Sequence, residues 1–226
     1  MEFRFEKNKD EVIFRITRFD DKYLPTFKQC FWQEENGTYY KKFPASCKYL
    51  DQIQDYFSKH AEEMFEQLGY FSPCKWEDAL LNFARVMKEN DIDWWLVGSC
   101  GACIRGIELS PHDVDIIVDS KDIDKLTDVF ADKLIIPVFD TQGWVTKHFG
   151  VIFWHARIDI ASDPSPELDN PEPVDCGPYA QARLEEVEWK GYKIKVAPVE
   201  LLIAANKRRG RLERVKLIQD YIDSRK

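Results

Sequence analysis

Residues 94–119, WWLVGSCGACIRGIELSPHDVDIIVD, decide how the rest of this chain is read. Trp94 to Val97 is a short apolar run that stops at Gly98-Ser99, as a buried strand does on reaching a turn. Cys100, Gly101, Ala102 and Cys103 follow, then Ile104-Arg105-Gly106, enough for a brief helix closed by a glycine. From Asp113 to Asp119 the pattern alternates: Val114, Ile116 and Val118 on one face, Asp113, Asp115, Ile117 and Asp119 on the other. Asp113 and Asp115 therefore leave one strand on the same side. Neighbouring carboxylates raise each other's pKa unless a cation lies between them. The economical cation is a divalent metal such as Mg2+, which favours carboxylate oxygens.

A strand ending in Gly-Ser, a short helix, then a strand carrying Asp-x-Asp resembles the signature of the nucleotidyltransferase superfamily. These are the polymerase-beta-like enzymes, among them minimal and antibiotic nucleotidyltransferases. Here the signature is Gly98-Ser99, thirteen intervening residues, and Asp113-Val114-Asp115, with the resemblance running from about 91 to 221. The first seventy-odd residues have no counterpart in it. The resemblance implies an α/β fold of nucleotidyltransferase type, a mixed twisted sheet with flanking helices, over residues 73–226. Residues 1–72 are expected to form a small β-and-helix region that packs against this domain or over its cleft, in a role the sequence leaves open.

Composition is consistent with such a domain. At 226 residues, 44% hydrophobic and 32% charged, the chain suits one large or two small globular domains rather than a disordered segment. A net charge of −8 argues against a surface that coats nucleic acid, which needs a basic excess. Neither a secretory leader nor an apolar run long enough to span a bilayer is visible, so the six cysteines are expected to be reduced thiols in a cytoplasm.

Along the chain, Phe3–Phe5, Val12–Ile16, the segment around Phe27–Trp32 and Thr38–Tyr40 read as strands of a small antiparallel meander. Its aromatic residues line a ligand pocket or, as the simpler account has it, pack on a helix. Leu50, Ile53, Phe57, Ala61, Met64 and Leu68 recur at helical spacing, and Gly69 ends that helix. Pro73 marks the domain seam. A second helix, from Trp76 to about Asn90, leads into the Trp94 strand. Ser120 is the expected N-cap of a helix over 121–133. Strands follow at 134–138, where Pro137 argues for an edge, and at 144–146, 151–154 and 157–161. Residues 163–178, rich in Pro, Asp and Glu, read as a long acidic loop. A hairpin turning at Lys190-Gly191 and two helices, 199–205 and 211–222, complete the chain.

The chemistry that the resemblance implies is transfer of a nucleoside monophosphate from a nucleoside triphosphate to an acceptor hydroxyl. Two Mg2+ ions on three carboxylates would assist it. Asp113 and Asp115 are two of these, and Asp159, between Ile158 and Ile160, takes the third place. An acid flanked by core residues in mid-strand must be paired or metal-bound, so the alternative for Asp159 is an ion pair with Arg157 or Arg105. Asp140 is the reserve ligand. Gly98 and Ser99 would receive phosphate at a backbone turn, and Lys207 would meet the triphosphate. The acceptor is open, with a small and cationic molecule favoured by the acidic loop. An RNA end or a protein is left only the basic turn 207–216. Cys100-x-x-Cys103 lacks a second pair at zinc spacing and reads as helix packing. The other class of function is a nucleotidyltransferase scaffold that binds or regulates without turnover. Oligomeric state and preferred base are not encoded in any of these patterns.

Overall fold

A computed structural model describes residues 1–225 and contains two sheets. The first is antiparallel, with β1 (Glu2–Lys7), β2 (Glu11–Arg18), β3 (Gln33–Glu35) and β4 (Thr38–Pro44) in the order β1-β2-β4-β3. Alternation along β2 buries Val12, Phe14 and Ile16. Between β2 and β3 lies a helix, α1 (Leu24–Gln29), where strand alternation was expected. Pro25 in its first turn suits a helix start, and the turn sends Phe27 inwards and Phe31 outwards. In a strand those two side chains would share a face.

The helix expected after residue 47 is α2 (Leu50–Leu68), whose apolar stripe packs on this sheet; the Phe57 ring meets Phe3, Phe5 and Phe14 edge-on. Tyr39 and Phe43 are buried there too, so these rings form core rather than a pocket. After the Pro73 turn, α3 (Trp76–Glu89) delivers the chain to β5 (Trp94–Val97).

The second sheet holds β5, β6 (Val114–Val118), β7 (Leu134–Asp140), β8 (Thr146–Trp154), β9 (Ala156–Pro164), β10 (Glu185–Trp189) and β11 (Tyr192–Val196). Their order is β10-β11-β5-β6-β9-β8-β7, with Pro137 on the edge strand. The sheet is mixed: β6 runs parallel to β9 and antiparallel to β5. Around it stand α4 (Gly98–Cys103), α5 (Ile123–Val129), α6 (Pro178–Gln181), α7 (Leu201–Arg208) and α8 (Leu212–Asp223). The helix expected over 121–133 is shorter, and a 3-10 turn (Ser120–Asp122) leads into it, with Asp119, not Ser120, accepting from the Lys121 N–H. A carboxylate reaches that donor as well as a hydroxyl does.

The two sheets share their interior. One cluster of buried side chains runs from Val12, Phe14 and Phe57 through Phe83 to Ile116 and Ile158, across the Pro73 turn. No helix among the described residues is long and apolar enough to cross a membrane.

Candidate active site

Register places the acids. Val97 lies opposite Asp115 on one side and Asp159 lies opposite Asp115 on the other. Paired residues share a face, and Val114, Ile116, Ile158 and Ile160 take the opposite face into the core. Asp113, Asp115 and Asp159 thus converge, each offering a carboxylate oxygen, with these atoms all within 4.8 Å of one another. Asp140 is exposed and caps its own turn by accepting from the Gln142 N–H, apart from this cluster.

The cluster is short of positive charge. Burial, then the charges of Asp113 and Asp159, push the Asp115 carboxyl well above the usual range, with Arg209 opposing. Asp159 accepts from both Nε and Nη2 of Arg157, the latter at 2.9 Å, so the ion-pair alternative and the cluster hold together. Arg105 turns elsewhere, to Glu185 and the Ala197 carbonyl. Burial still holds Asp159 above the ordinary carboxylate range despite Arg157. An all-oxygen donor set with excess negative charge fits a hard divalent cation.

Gly98 is glycine for two reasons. Its φ is +68°, and a Cβ there would lie 2.6 Å from Asp115 Oδ2. Its N–H is not free: it donates to Asp175 Oδ2 at 2.7 Å. Asp175 is 4% exposed, and burial raises its pKa while the Gly98 N–H and Arg209 lower it. Sequence reasoning missed this residue, because an acid in an acidic loop looks solvated; its one signal was its place between Val174 and Cys176. The loop is also more tethered than its composition suggested. Arg208 donates to the Leu168 and Glu172 carbonyls, and Asp169 accepts from the Tyr179 N–H.

Besides Arg157, cations of the basic turn face this region. Lys207 is exposed, and its ammonium has no polar partner among the described residues. The guanidinium groups of Arg209, Arg211 and Arg214 also lack a hydrogen-bond or ion-pair partner among the described residues, yet their charges reach the site. Arg209 acts on Asp115 and Asp175, and Arg211 and Arg214 on His112. Burial, then its neighbours Arg214 and Arg209, lower the Arg211 pKa. The chain turns at Gly210, whose φ is +65°, within the basic segment 207–216 already visible in the sequence.

His112 is buried beside Asp113, its Nδ1 3.2 Å from Tyr70 Oη and its Nε2 3.2 Å from Gln29 Nε2. Burial lowers its pKa, which favours the neutral ring. Lys41 of β4 is pushed down to about 8 by burial and by Arg157. The Cys100 and Cys103 thiols donate to the Asp113 and Leu109 carbonyls, and burial raises both, as expected of packing residues.

Fold and site together define a mixed α/β protein built round three convergent carboxylates. No protein-family model and no curated protein matches the chain. Similar solved structures include a Thermotoga maritima protein assigned as a nucleotidyltransferase, 21% identical with a TM-score of 0.47, spanning 65% of this chain and 91% of the other. The lincosamide antibiotic adenylyltransferase LnuA, solved with lincomycin bound, is 15% identical with a TM-score of 0.46, over 62% and 94%. ANT(2")-Ia, solved in complex with adenylyl-2"-tobramycin, is 12% identical with a TM-score of 0.43, over 65% and 89%.

Proposed function

We propose that this protein is a Mg2+-dependent nucleotidyltransferase that moves a nucleoside monophosphate from a nucleoside triphosphate to an acceptor hydroxyl. The observation that carries the reading is the convergence of Asp113, Asp115 and Asp159 on one sheet face. In this reading all three hold metal, and Asp159 also assists removal of the acceptor proton. Two divalent ions, when bound, would activate the attacking oxygen and neutralise the leaving pyrophosphate. Ser99 offers a hydroxyl to the triphosphate, and Gly98 offers its N–H once Asp175 yields it. Arg209 and Arg211, whose guanidinium groups have no partner among the described residues, join Lys207 as candidates to meet the triphosphate.

The acceptor in this reading is a small molecule. A net charge of −8 disfavours a nucleic-acid backbone as the acceptor. An RNA end or protein hydroxyl would have to engage the basic turn 207–216. A second reading is a scaffold that binds without turnover. It is favoured by the engagement of the Gly98 N–H by Asp175 and of Asp159 by Arg157.

Thermal unfolding with each of the four common nucleoside triphosphates, with and without Mg2+, tests the metal–triphosphate site on which the catalytic reading depends. Catalysis requires that one nucleotide with Mg2+ stabilises the wild type and that Asp113→Ala/Asp115→Ala abolishes the gain. Arg209→Ala and Lys207→Ala, measured separately, show which of the two cations meets the triphosphate. No response to any nucleotide would favour the silent scaffold.

A further inference from the structure

The three carboxylates belong to the seven-stranded sheet, but their immediate supports reach into the N-terminal region. The guanidinium that grips Asp159 through Nε and Nη2 donates its remaining edge, Nη1, to Cys30 Sγ at 3.2 Å. The preceding residue, Gln29, contacts His112 Nε2, and that nitrogen lies 3.7 Å from Asp113 Oδ2. Two consecutive residues at the end of α1 therefore stand behind two of the three acids.

A guanidinium is a rigid plane, so fixing one edge fixes the direction in which the other edge presents its N–H groups. Cys30 is 7% exposed and Arg157 8%, which leaves little room for water to replace the sulfur. The sulfur is itself held. The Cys30 N–H donates to the Thr26 carbonyl and the Trp32 N–H to the Phe27 carbonyl, with Phe27 and Trp32 both buried.

We propose that Cys30 is a positioning residue for the metal-binding acids, and that the N-terminal region completes the site by fixing Asp159 through Arg157. This rests on the metal-binding reading of Asp113, Asp115 and Asp159. It gives residues 1–72 a role: they are the outer support of the carboxylate cluster.

The test is titration of the full chain with Mn2+ alone, followed by electron paramagnetic resonance, for wild type, Cys30→Ser, Cys30→Ala and Cys30→Val. Metal-free melting curves establish that each variant is folded. Serine keeps an acceptor for Nη1 and should bind Mn2+ nearly as wild type does. Alanine and valine leave Nη1 unpaired and should weaken binding about tenfold or more, the usual effect of removing a ligand's outer support. Equal affinity in all four proteins overturns the proposal, as does a serine variant as weak as alanine, which would signal packing alone. Should the wild type itself fail to bind Mn2+, the metal reading falls and this inference with it; if only the Cys30 variants behave alike, this inference falls alone.

Discussion

Asp115→Asn should make the metal-free protein more stable while removing its response to metal. Asp115 is half-buried between Asp113 and Asp159, with carboxylate oxygens of all three within 4.8 Å of one another. At an effective dielectric of about 20, two charges at that distance repel by about 3.5 kcal/mol. Asp159 carries its own counter-ion in Arg157, so Asp113 is the neighbour that matters most for this estimate. Against the relief stands an asparagine amide with few partners, which costs about 1–2 kcal/mol when buried. The net gain is about 2 kcal/mol, or roughly 4–8 °C in melting temperature for a chain of this size. The pH dependence has a definite sign. Because the folded-state pKa of Asp115 is raised, folding favours the protonated acid. That contribution is full below the unfolded carboxyl value of about 4 and is lost as pH rises through the folded value. Metal-free wild type should therefore lose stability from acid towards neutral pH more steeply than Asp115→Asn. Differential scanning calorimetry in chelator, at several pH values, measures both quantities. A less stable Asp115→Asn with an unchanged pH slope would refute the reasoning, because it would mean that the cluster carries an internal counter-ion sufficient for Asp115.

Gly98→Ala forces an alanine to a φ of +68° and drives its Cβ against the Asp115 carboxylate. Urea unfolding should show a loss of about 1–2 kcal/mol from the backbone conformation and the displaced acid, and Mn2+ binding should weaken with it. Phe31→Gly should act in the other direction. Phe31 occupies a left-handed position after α1 at 72% exposure, where glycine is the preferred residue, so the variant should gain about 0.5–1 kcal/mol in the same assay.

Much of the architecture was legible because side-chain period reports which face of an element is buried. The alternation of Val114, Ile116 and Val118 against Asp113 and Asp115, and the helical spacing of Leu50, Ile53 and Phe57, are local signals that survive folding unchanged. Short elements were less legible. The six residues of α1 span under two turns, too few to separate a helical from an alternating pattern, so Phe27–Trp32 read equally well as a strand. Capping was ambiguous for a similar reason, since Asp119 and Ser120 are adjacent acceptors and only the backbone path chooses between them.

For the candidate site, the sequence alone determined that Asp113 and Asp115 share a face, and the family resemblance pointed to Asp159 as their companion. The tertiary structure decided what surrounds them. Cys30 meets Arg157 across 127 positions in the chain, and Asp175 meets Gly98 across 77. Residues so far apart leave no periodic trace. Their proximity follows from strand order and from the burial that brings two sheets onto one core, and both are properties of the whole folded chain.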